Sequence, residues 1–238
     1  MNIVITGASR GIGKVVAAEF GAHGHHLYLC ARNEATLQHT ITELKNKFPD
    51  STIMGLAKDL SVKEDVESFG QWLLDQNIRI DVLVNNAGTY LPGGIHHESE
   101  GVLEKMMDIN LYSAYHLTRK LLPVIIHQEI INGARGHIFN LCSIASQQAY
   151  PNGGAYGISK YAVYGFSKNL REEMKTHFVK VTAILPGAVL TDSWGDFDNS
   201  QHRIMEANDI AKMIFTSSQL SPGACVEEIV IRPQLGDL

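Results

Sequence analysis

A tyrosine and a lysine one helical turn apart are the most chemically informative residues of this sequence. Tyr156 precedes Lys160 by four positions, and Ser143 lies thirteen residues before the tyrosine. On a helix, residues at i and i+4 share a face, so the lysine ammonium is expected next to the phenol. A free tyrosine has a pKa of about 10, and a nearby positive charge lowers it. The pair is therefore predicted to exchange a proton during an alcohol–ketone interconversion.

A glycine-rich loop near the first residue indicates what accompanies that proton. The apolar run 2–6 predicts a buried parallel strand, and the stretch 14–20 predicts an amphipathic helix. Gly7, Gly11 and Gly13 lie between them. A strand, a glycine turn and a helix in this order are typical of dinucleotide binding, because the helix N-terminus offers free N–H groups to phosphates.

Strand-like apolar runs alternate with helical patterns along the whole chain. The predicted strands are 2–6, 25–31, 51–57, 80–84, 136–142, 179–185 and 226–231. The predicted helices lie near 12–23, 33–47, 62–77, 99–127, 154–176 and 204–217. This alternation predicts a three-layer α/β/α fold, in which helices cover both faces of a seven-stranded, mostly parallel, doubly wound sheet.

Local signals refine this outline. Asn33 is expected to cap the second helix, and Ser61 is expected to open the third with a capping box. No linker rich in proline and serine divides the sequence. Residues 1–238 are therefore expected to form a single domain with an integrated substrate pocket.

Composition excludes several classes of partner. The chain has 238 residues, of which 45% are hydrophobic and 19% charged, as in ordinary globular proteins, and its net charge of −5 argues against nucleic-acid binding. No apolar stretch is long enough for a membrane span, and the first strand leaves no room for a secretory signal. The cysteines, Cys30, Cys142 and Cys225, are expected to be buried free thiols, which suits the cytoplasm. The eleven histidines lack metal-ligand spacing, so no metal is predicted.

Together with further motifs, these residues resemble the short-chain dehydrogenase/reductase family nearly end to end. Asp59-Leu60, Asn85-Asn86-Ala87-Gly88 and Pro186-Gly187 follow the third, fourth and sixth predicted strands. The resemblance implies a Rossmann fold and a catalytic set of Asn110, Ser143, Tyr156 and Lys160. It also implies a cofactor-binding set of Gly7, Ser9, Arg10, Gly11, Ile12, Gly13, Arg32, Asn33, Asp59, Leu60, Asn86, Ala87, Gly88, Tyr156, Lys160, Pro186, Gly187, Val189 and Thr191.

The expected chemistry moves a hydride between a nicotinamide and a carbonyl carbon. Tyr156 would supply the proton to the oxygen, and Ser143 would hydrogen-bond the same oxygen. Lys160 would hold the nicotinamide ribose and lower the pKa of Tyr156. The resemblance further implies that Asn110 holds a water of a proton relay, and that the turn from Pro186 to Thr191 holds the nicotinamide carboxamide.

The end of the second predicted strand indicates which cofactor is used. It reads Ala31-Arg32-Asn33, without the acidic residue that NAD-binding relatives place there for the ribose 2′-hydroxyl. The guanidinium of Arg32 suits a 2′-phosphate, and Arg10 can join it. NADP(H) is therefore predicted, with NAD(H) as the alternative.

The substrate is predicted less narrowly, as a small or medium apolar ketone or dicarbonyl. Segments 89–98, 144–155 and 188–203 are expected to line the pocket with apolar and aromatic walls, namely Tyr90, Leu91, Ile144, Tyr150, Val189, Trp194 and Phe197. One alternative is a 3-oxoacyl-carrier-protein reductase, although residues 127–129 offer no basic docking patch and residues 226–233 replace a glycine-rich tail. The other is a non-catalytic NADP(H)-binding sensor or scaffold.

The helices predicted at 99–127 and 154–176 carry more apolar residues than one buried stripe requires. In the family these two helices usually form the subunit contact. At least a homodimer is therefore expected, and a tetramer if the last predicted strand forms a second interface.

Overall fold

The computed structural model describes residues 1–237, apart from the side chain of Ser193. Its strands are β1 Asn2–Thr6, β2 His26–Ala31, β3 Ile53–Ala57, β4 Val82–Asn85, β5 Gly136–Leu141, β6 Val179–Pro186, β7 Val189–Leu190, β8 Met205–Glu206 and β9 Glu228–Ile231. Its α-helices are α1 Gly11–Ala22, α2 Glu34–Lys47, α3 Lys63–Asp75, α4 Val102–Met107, α5 Ser113–Ile125, α6 Gly154–Met174 and α7 Ala207–Ser218.

Seven strands form one parallel sheet in the order β3-β2-β1-β4-β5-β6-β9, which confirms the predicted doubly wound fold. β1 lies between β2 and β4, with Ile3 in register with both Leu27 and Val82. The strand order therefore reverses at β1. In open parallel sheets, such a reversal leaves a crevice at the carboxyl ends of the strands, where ligands bind.

Side chains alternate between the two faces of the sheet and form a core on each. Ile3 and Ile5 of β1 pack in the cluster that contains Phe20 of α1. Val4, which lies between them, packs in the cluster that contains Phe69 of α3 and Leu121 of α5. Helices thus cover both faces, because parallel strands joined by helical crossovers bury both of their sides.

The long helix predicted at 99–127 differs most from expectation. It begins at Val102, and residues Asp108–Tyr112 form a π-helical turn between α4 and α5. π-Turns are rare in proteins overall, but those that occur often lie at functional sites. The two-residue strands β7 and β8, which pair with each other, are too short to leave a periodic pattern in the sequence.

The two helix starts that were predicted from capping residues have different outcomes. Asn33 caps α2 as expected, because its Oδ1 accepts the N–H of Thr36 at 2.9 Å. The capping box at Ser61 is wrong, since the N-cap of α3 is Val62. Ser61 instead donates its N–H and its hydroxyl to Asp59 Oδ1, at 3.1 and 2.7 Å. An ionised carboxylate two residues away is the stronger acceptor.

The expectations from composition concern thiols and membrane spans. Cys30 and Cys142 are buried free thiols, and burial raises their pKa values to about 12 and about 11. Cys225 is only partly buried, so the expectation for this residue is wrong. None of the helices described within residues 1–237 is long and apolar enough to cross a membrane.

Candidate active site

The glycine loop lies at the carboxyl end of β1. Gly7 and Gly11 have φ angles of 65° and 53°, in the left-handed region that favours glycine. A Cβ atom at Gly13 would lie 2.3 Å from the carbonyl oxygen of Gly7, so only glycine lets α1 pack this close to the loop. The N-cap of α1 is Arg10, in extended conformation, and its side chain makes no capping hydrogen bond. The first N–H groups of α1 are therefore available to an anion.

Asn86 ties the glycine loop to the segment that follows β4. Its Nδ2 donates to the carbonyl oxygens of Thr6 and Gly7 at 2.9 and 3.1 Å. The Thr6 hydroxyl accepts the N–H groups of Asn86 and Ala87 at 3.0 and 2.9 Å. Asn86 thus fixes the shape of the crevice, and its direct contact with a cofactor stays a prediction.

The far edge of the crevice is formed where β2 and β3 end. Ala31 is buried, whereas Arg32 and Asn33 are exposed. The N–H of Lys58 donates to the Ala31 carbonyl oxygen at 3.0 Å, which brings the Lys58-Asp59 turn beside this strand end. No salt bridge within residues 1–237 engages Arg10 or Arg32. Both guanidinium groups thus lack a competing carboxylate partner there.

Ser143 is held at the end of β5 by a short 3₁₀ turn, Ile144–Ser146. Its hydroxyl accepts the N–H of Ala145 at 3.2 Å, and its own N–H donates to Ser146 Oγ at 3.2 Å. The Ser146 hydroxyl in turn donates to the carbonyl oxygen of Lys160 at 2.8 Å. Ser146 therefore joins the end of β5 to α6, a role that the sequence motifs did not reveal.

Lys160 is a buried cation. Its side chain reaches back to β5, where Nζ donates to the Leu141 carbonyl oxygen at 2.7 Å. Nζ lies 5.9 Å from the centroid of the Tyr156 ring. Burial lowers the pKa of Lys160 to about 8, because a buried ammonium loses the hydration that favours its charged form.

The expectation that Lys160 lowers the pKa of Tyr156 is not met in this structure. Burial raises the pKa of Tyr156, and a hydrogen bond from Ser143 acts in the opposite direction without reversing the shift. The ammonium of Lys160 is directed to Leu141 rather than to the phenol oxygen. Tyr156 is therefore held as the neutral phenol, the form that can donate a proton.

Asn110 lies at the middle of the π-turn, and its side-chain amide is buried. Its Oδ1 accepts the N–H of Thr89 at 2.8 Å, and its Nδ2 donates to the Thr89 carbonyl oxygen at 3.1 Å. Nδ2 also donates to Ser159 Oγ on α6 at 2.8 Å. A Cβ atom at Gly88 would lie 2.9 Å from Asn110 Oδ1 and 3.7 Å from Lys160 Nζ. The loop after β4 thus brings Asn110 and Lys160 together.

The segment after β6 closes the crevice from the opposite side. Pro186 ends β6, and the N–H of Gly187 donates to the Ile231 carbonyl oxygen at 2.8 Å. The methyl group of Thr191 lies 3.5 Å from the position of a Cβ atom at Gly11, so this segment packs against the glycine loop. Val189 is buried in the core and pairs with Met205, so its expected place in the pocket wall is wrong.

Two aromatic side chains, Tyr90 and Tyr150, lie next to Tyr156. The Tyr90 ring packs edge-on against the Tyr156 ring with centroids 4.8 Å apart, and Tyr90 and Tyr150 are 46% and 36% exposed. Trp194 and Phe197 pack against each other at 5.2 Å. Tyr90 and Tyr150 agree with the predicted aromatic wall of the pocket, whereas the place of Trp194 and Phe197 in that wall stays a prediction.

Glu98 is a further residue that the motifs did not reveal. Its Oε1 accepts the N–H of Ala155 at 2.8 Å, in the first turn of α6. This helix starts at Gly153-Gly154, which offers no capping side chain of its own. A carboxylate from the 89–98 segment therefore satisfies the helix end and favours its positive dipole. The uncapped Gly-Gly start was the only sequence signal for such a partner.

Comparisons with known proteins decide the family. A family model described as short chain dehydrogenase matches residues 1–202. The chain belongs to the short-chain dehydrogenase family. It is 31% identical to a sepiapterin reductase of Chlorobaculum tepidum over 244 residues, which cover 99% of this chain and 97% of that protein.

Solved structures of the family have the same fold. The structure of a metagenomic short-chain oxidoreductase in complex with NADP has a TM-score of 0.83 and 29% identity, and the match covers 98% of this chain and 97% of that one. An alcohol dehydrogenase from the archaeon Thermococcus sibiricus, complexed with 5-hydroxy-NADP, has a TM-score of 0.88 and 26% identity, and covers 98% and 96%. The short-chain dehydrogenase described here is accordingly an oxidoreductase that acts on the CH–OH/C=O pair.

The burial of Lys160 predicts a pH-dependent difference in stability. Its folded-state pKa is about 8, below the ordinary lysine value of 10.5, so between these values the unfolded chain binds more protons and stability rises with pH. Lys160→Met lacks this group. The wild-type free energy of unfolding minus that of the variant should therefore increase by about 2–3 kcal/mol from pH 7.5 to pH 10.5. Urea denaturation at a series of pH values measures it.

The control for this prediction is Lys212→Met, which removes an exposed lysine of α7. Its stability difference from the wild type should stay flat over the same pH range. A flat profile for Lys160→Met as well would contradict the burial of a charged Lys160.

Proposed function

We propose that the protein reduces a small or medium apolar ketone or dicarbonyl with NADPH, and that Tyr156 is the general acid. The observation that carries this proposal is the convergence of Ser143, Tyr156 and Lys160. Ser143 and Leu141 come from the end of β5, Tyr156 and Lys160 come from α6, and the loop after β4 links them to the glycine loop. A phenol, a hydroxyl and a buried ammonium in one crevice are the groups that carbonyl reduction requires.

The residues of the chain have separate tasks in this reaction. A bound nicotinamide supplies the hydride that reaches the carbonyl carbon. The Ser143 hydroxyl hydrogen-bonds the carbonyl oxygen as it gains negative charge, and neutral Tyr156 donates a proton to it. Lys160, whose buried ammonium is positioned by the Leu141 carbonyl oxygen, would hold the nicotinamide ribose. Asn110 anchors the loop after β4 against α6, and its role of holding a water of the proton relay stays a prediction.

The crevice has the features that NADP(H) requires. The uncapped N-terminus of α1 faces the position of the pyrophosphate, and the left-handed glycines allow the backbone to approach it. Exposed Arg32 and Arg10 are available for a 2′-phosphate, and no carboxylate occupies the end of β2. Relatives that hold NADP or 5-hydroxy-NADP support the same choice.

The opening next to Tyr156 favours a flat apolar substrate with a second oxygen. Tyr90 touches Tyr156, and the phenol of Tyr150 is close enough to both to influence them electrostatically. Burial raises the pKa of Tyr150, so it too is a neutral phenol that donates hydrogen bonds. A dicarbonyl would place one oxygen on Tyr156 and Ser143 and the other on Tyr150. The sepiapterin reductase relative supports the reductive direction.

We propose further that residues 1–238 form one domain and that the protein works in the cytoplasm. Seven strands between β1 and β9 form one sheet, with the short pair β7–β8 beside it, which supports a single domain. Buried free thiols fit a reducing compartment. NADPH in that compartment favours reduction.

A homodimer is proposed through the surface formed by α5 and α6. A groove of about 640 Å³ runs between these helices, lined by Tyr115, Arg119, Leu122, Phe166, Leu170 and Met174, among others. Tyr112, in the π-turn before α5, and Tyr161, on α6, are 45% and 46% exposed. Exposed aromatic residues around an apolar groove are typical of subunit interfaces.

The role of Tyr156 predicts a specific defect in Tyr156→Phe. This variant keeps the ring and removes the proton, so kcat should fall by about 10²-fold or more while the Kd for NADPH stays within a few-fold of the wild type. A panel of ketones, diketones and 3-oxoacyl thioesters, followed at the nicotinamide absorbance band, measures turnover. Tyr161→Phe on the same helix is the matched control and should keep full kcat.

Two results would contradict this assignment. Turnover by Tyr156→Phe at the wild-type rate would exclude Tyr156 as the acid. NADPH binding by the wild type with no turnover on any substrate would favour the sensor or scaffold alternative, and preference for the thioester would favour the acyl-carrier reductase.

Arg32 predicts the cofactor preference. Removal of a charged hydrogen bond to the 2′-phosphate costs about 1.5–3 kcal/mol, so Arg32→Ala should lower kcat/KM for NADPH about ten- to a hundred-fold with little change for NADH. Ala31→Asp should shift the preference toward NADH. Steady-state kinetics with both cofactors measure this. Equal kcat/KM for NADPH and NADH in the wild type would refute the prediction.

If the groove between α5 and α6 is the dimer interface, a charge introduced into it should dissociate the dimer. Light scattering of the wild type should give at least twice the chain mass of 26.2 kDa, and Phe166→Asp should give a monomer because it buries a charge in the groove. Val230→Asp, on the exposed side of β9, should turn a tetramer into a dimer and leave a dimer unchanged. A fully active wild-type monomer would contradict the proposed interface.

A further inference from the structure

The segment after β9 folds back onto the loop that follows β6, and one carboxylate makes the contact. Asp237 Oδ1 accepts the N–H of Ala188 at 3.3 Å. Its Oδ2 accepts Nε of Arg232 at 2.8 Å and forms an ion pair with the same guanidinium at 2.5 Å. A turn closed by the N–H of Gly236 on the Pro233 carbonyl oxygen, at 2.9 Å, brings Asp237 to this position. Asp237 is only partly exposed, whereas Arg232 is exposed.

The loop after β6 has the shape that this carboxylate requires. A Cβ atom at Gly187 would lie 2.1 Å from Asp237 Oδ1 and 3.1 Å from Cδ of Pro233. Any side chain larger than that of glycine would therefore displace the carboxylate. Gly187 also donates its N–H to the Ile231 carbonyl oxygen, so the loop is fixed from two directions by the chain around and beyond β9.

Arg203 extends these contacts to the segment next to the substrate opening. Its guanidinium donates to the carbonyl oxygens of Gly236 and Asp237, at 2.8 and 3.1 Å. Arg203 lies two residues before Met205, which pairs with Val189 in the small sheet β7–β8. Both ends of the 188–205 segment are thus tied to Asp237, and the Arg203 end is tied to Gly236 as well.

We propose that Asp237 is a positioning residue for the nicotinamide half of the cofactor. With Arg203 and Arg232 it forms a clip that holds the Gly187-Ala188 peptide, which neighbours the nicotinamide, in its binding geometry. The inference rests on the proposed NADP(H) binding. It adds that cofactor affinity depends on a carboxylate that touches neither the cofactor nor the substrate.

The clip should affect only the nicotinamide half of the dinucleotide. Comparing NADPH with a ligand that lacks this half therefore tests the proposal. Asp237→Ala should weaken NADPH binding about tenfold, the scale of one charged hydrogen bond. Binding of 2′,5′-ADP, which fills only the adenosine half, should stay within about twofold of the wild type on the same scale. Fluorescence and calorimetric titrations give both Kd values without turnover. Asp50→Asn, an exposed aspartate with no recorded side-chain partner in residues 1–237, is the matched control.

A second variant gives independent evidence if Asp237→Ala does not fold. Arg203→Met removes both donors to Gly236 and Asp237, and should raise KM for NADPH and for the carbonyl substrate together, about five- to tenfold, with a smaller change in kcat. Arg203→Lys should recover part of this loss, because one ammonium replaces two guanidinium donors.

The outcomes separate this inference from the proposed function. An unchanged Kd for NADPH in Asp237→Ala and in Arg203→Met would overturn the clip while leaving the reductase proposal intact. Equal weakening of NADPH and 2′,5′-ADP would indicate general loss of structure and would also overturn it. A wild type that binds neither ligand would refute the proposed function, and the clip with it.

Discussion

The burial of one positive charge, the ammonium of Lys160, is the constraint on which the rest of the site depends. An ammonium removed from water strongly favours its neutral form, which is why the pKa of Lys160 falls to about 8. The fold compensates through the Leu141 carbonyl oxygen at 2.7 Å, at the carboxyl end of β5. A cation that costs stability, in a crevice at the ends of parallel strands, is the arrangement expected of a functional group rather than of a structural one.

Three serines transmit this constraint to the surrounding elements. Ser146 links the end of β5 to the backbone of α6 at Lys160 itself. Ser159 links α6 to Asn110 in the π-turn, and its hydroxyl also donates to the Tyr156 carbonyl oxygen at 2.8 Å. Ser143 hydrogen-bonds toward Tyr156. Because these hydroxyl groups are buried, each must keep its partners, and the network fixes the reacting groups more rigidly than apolar packing alone would do.

The cofactor side of the crevice is organised by close backbone approach. At Gly7, Gly11, Gly13 and Gly187, a residue with a Cβ atom would either clash with a neighbouring loop or adopt a strained φ angle. Loops from β1, β4 and β6 therefore meet at the reversal of strand order with almost no side-chain volume between them. This leaves N–H groups facing the crevice, while the guanidinium groups of Arg10 and Arg32 lie at its outer edge. The two halves of the site are built differently. The half around Tyr156 and Lys160 consists of buried side chains, whereas the cofactor half consists mainly of exposed backbone.

The sequence by itself determined the layers of the fold and predicted which residues react. Strand–helix alternation and the glycine loop are local patterns. Such patterns can be recognised in the sequence because each strand and helix must bury its own apolar face. Tyr156, Lys160, Ser143 and Asn110 are separated in sequence, yet the order of the motifs was sufficient to name them.

Only the tertiary structure decided how these residues are held and which protonation states they favour. The pKa of Tyr156 rises instead of falling because burial, a property of the whole fold, outweighs the lowering effect of the Ser143 hydroxyl. Glu98 at the start of α6, the π-turn at Asn110, the burial of Val189 and the contact of Asp237 with Ala188 all join segments far apart in the chain. The periodicity and spacing of residues in the sequence do not indicate such contacts, because these contacts depend on which surfaces meet after the sheet has formed.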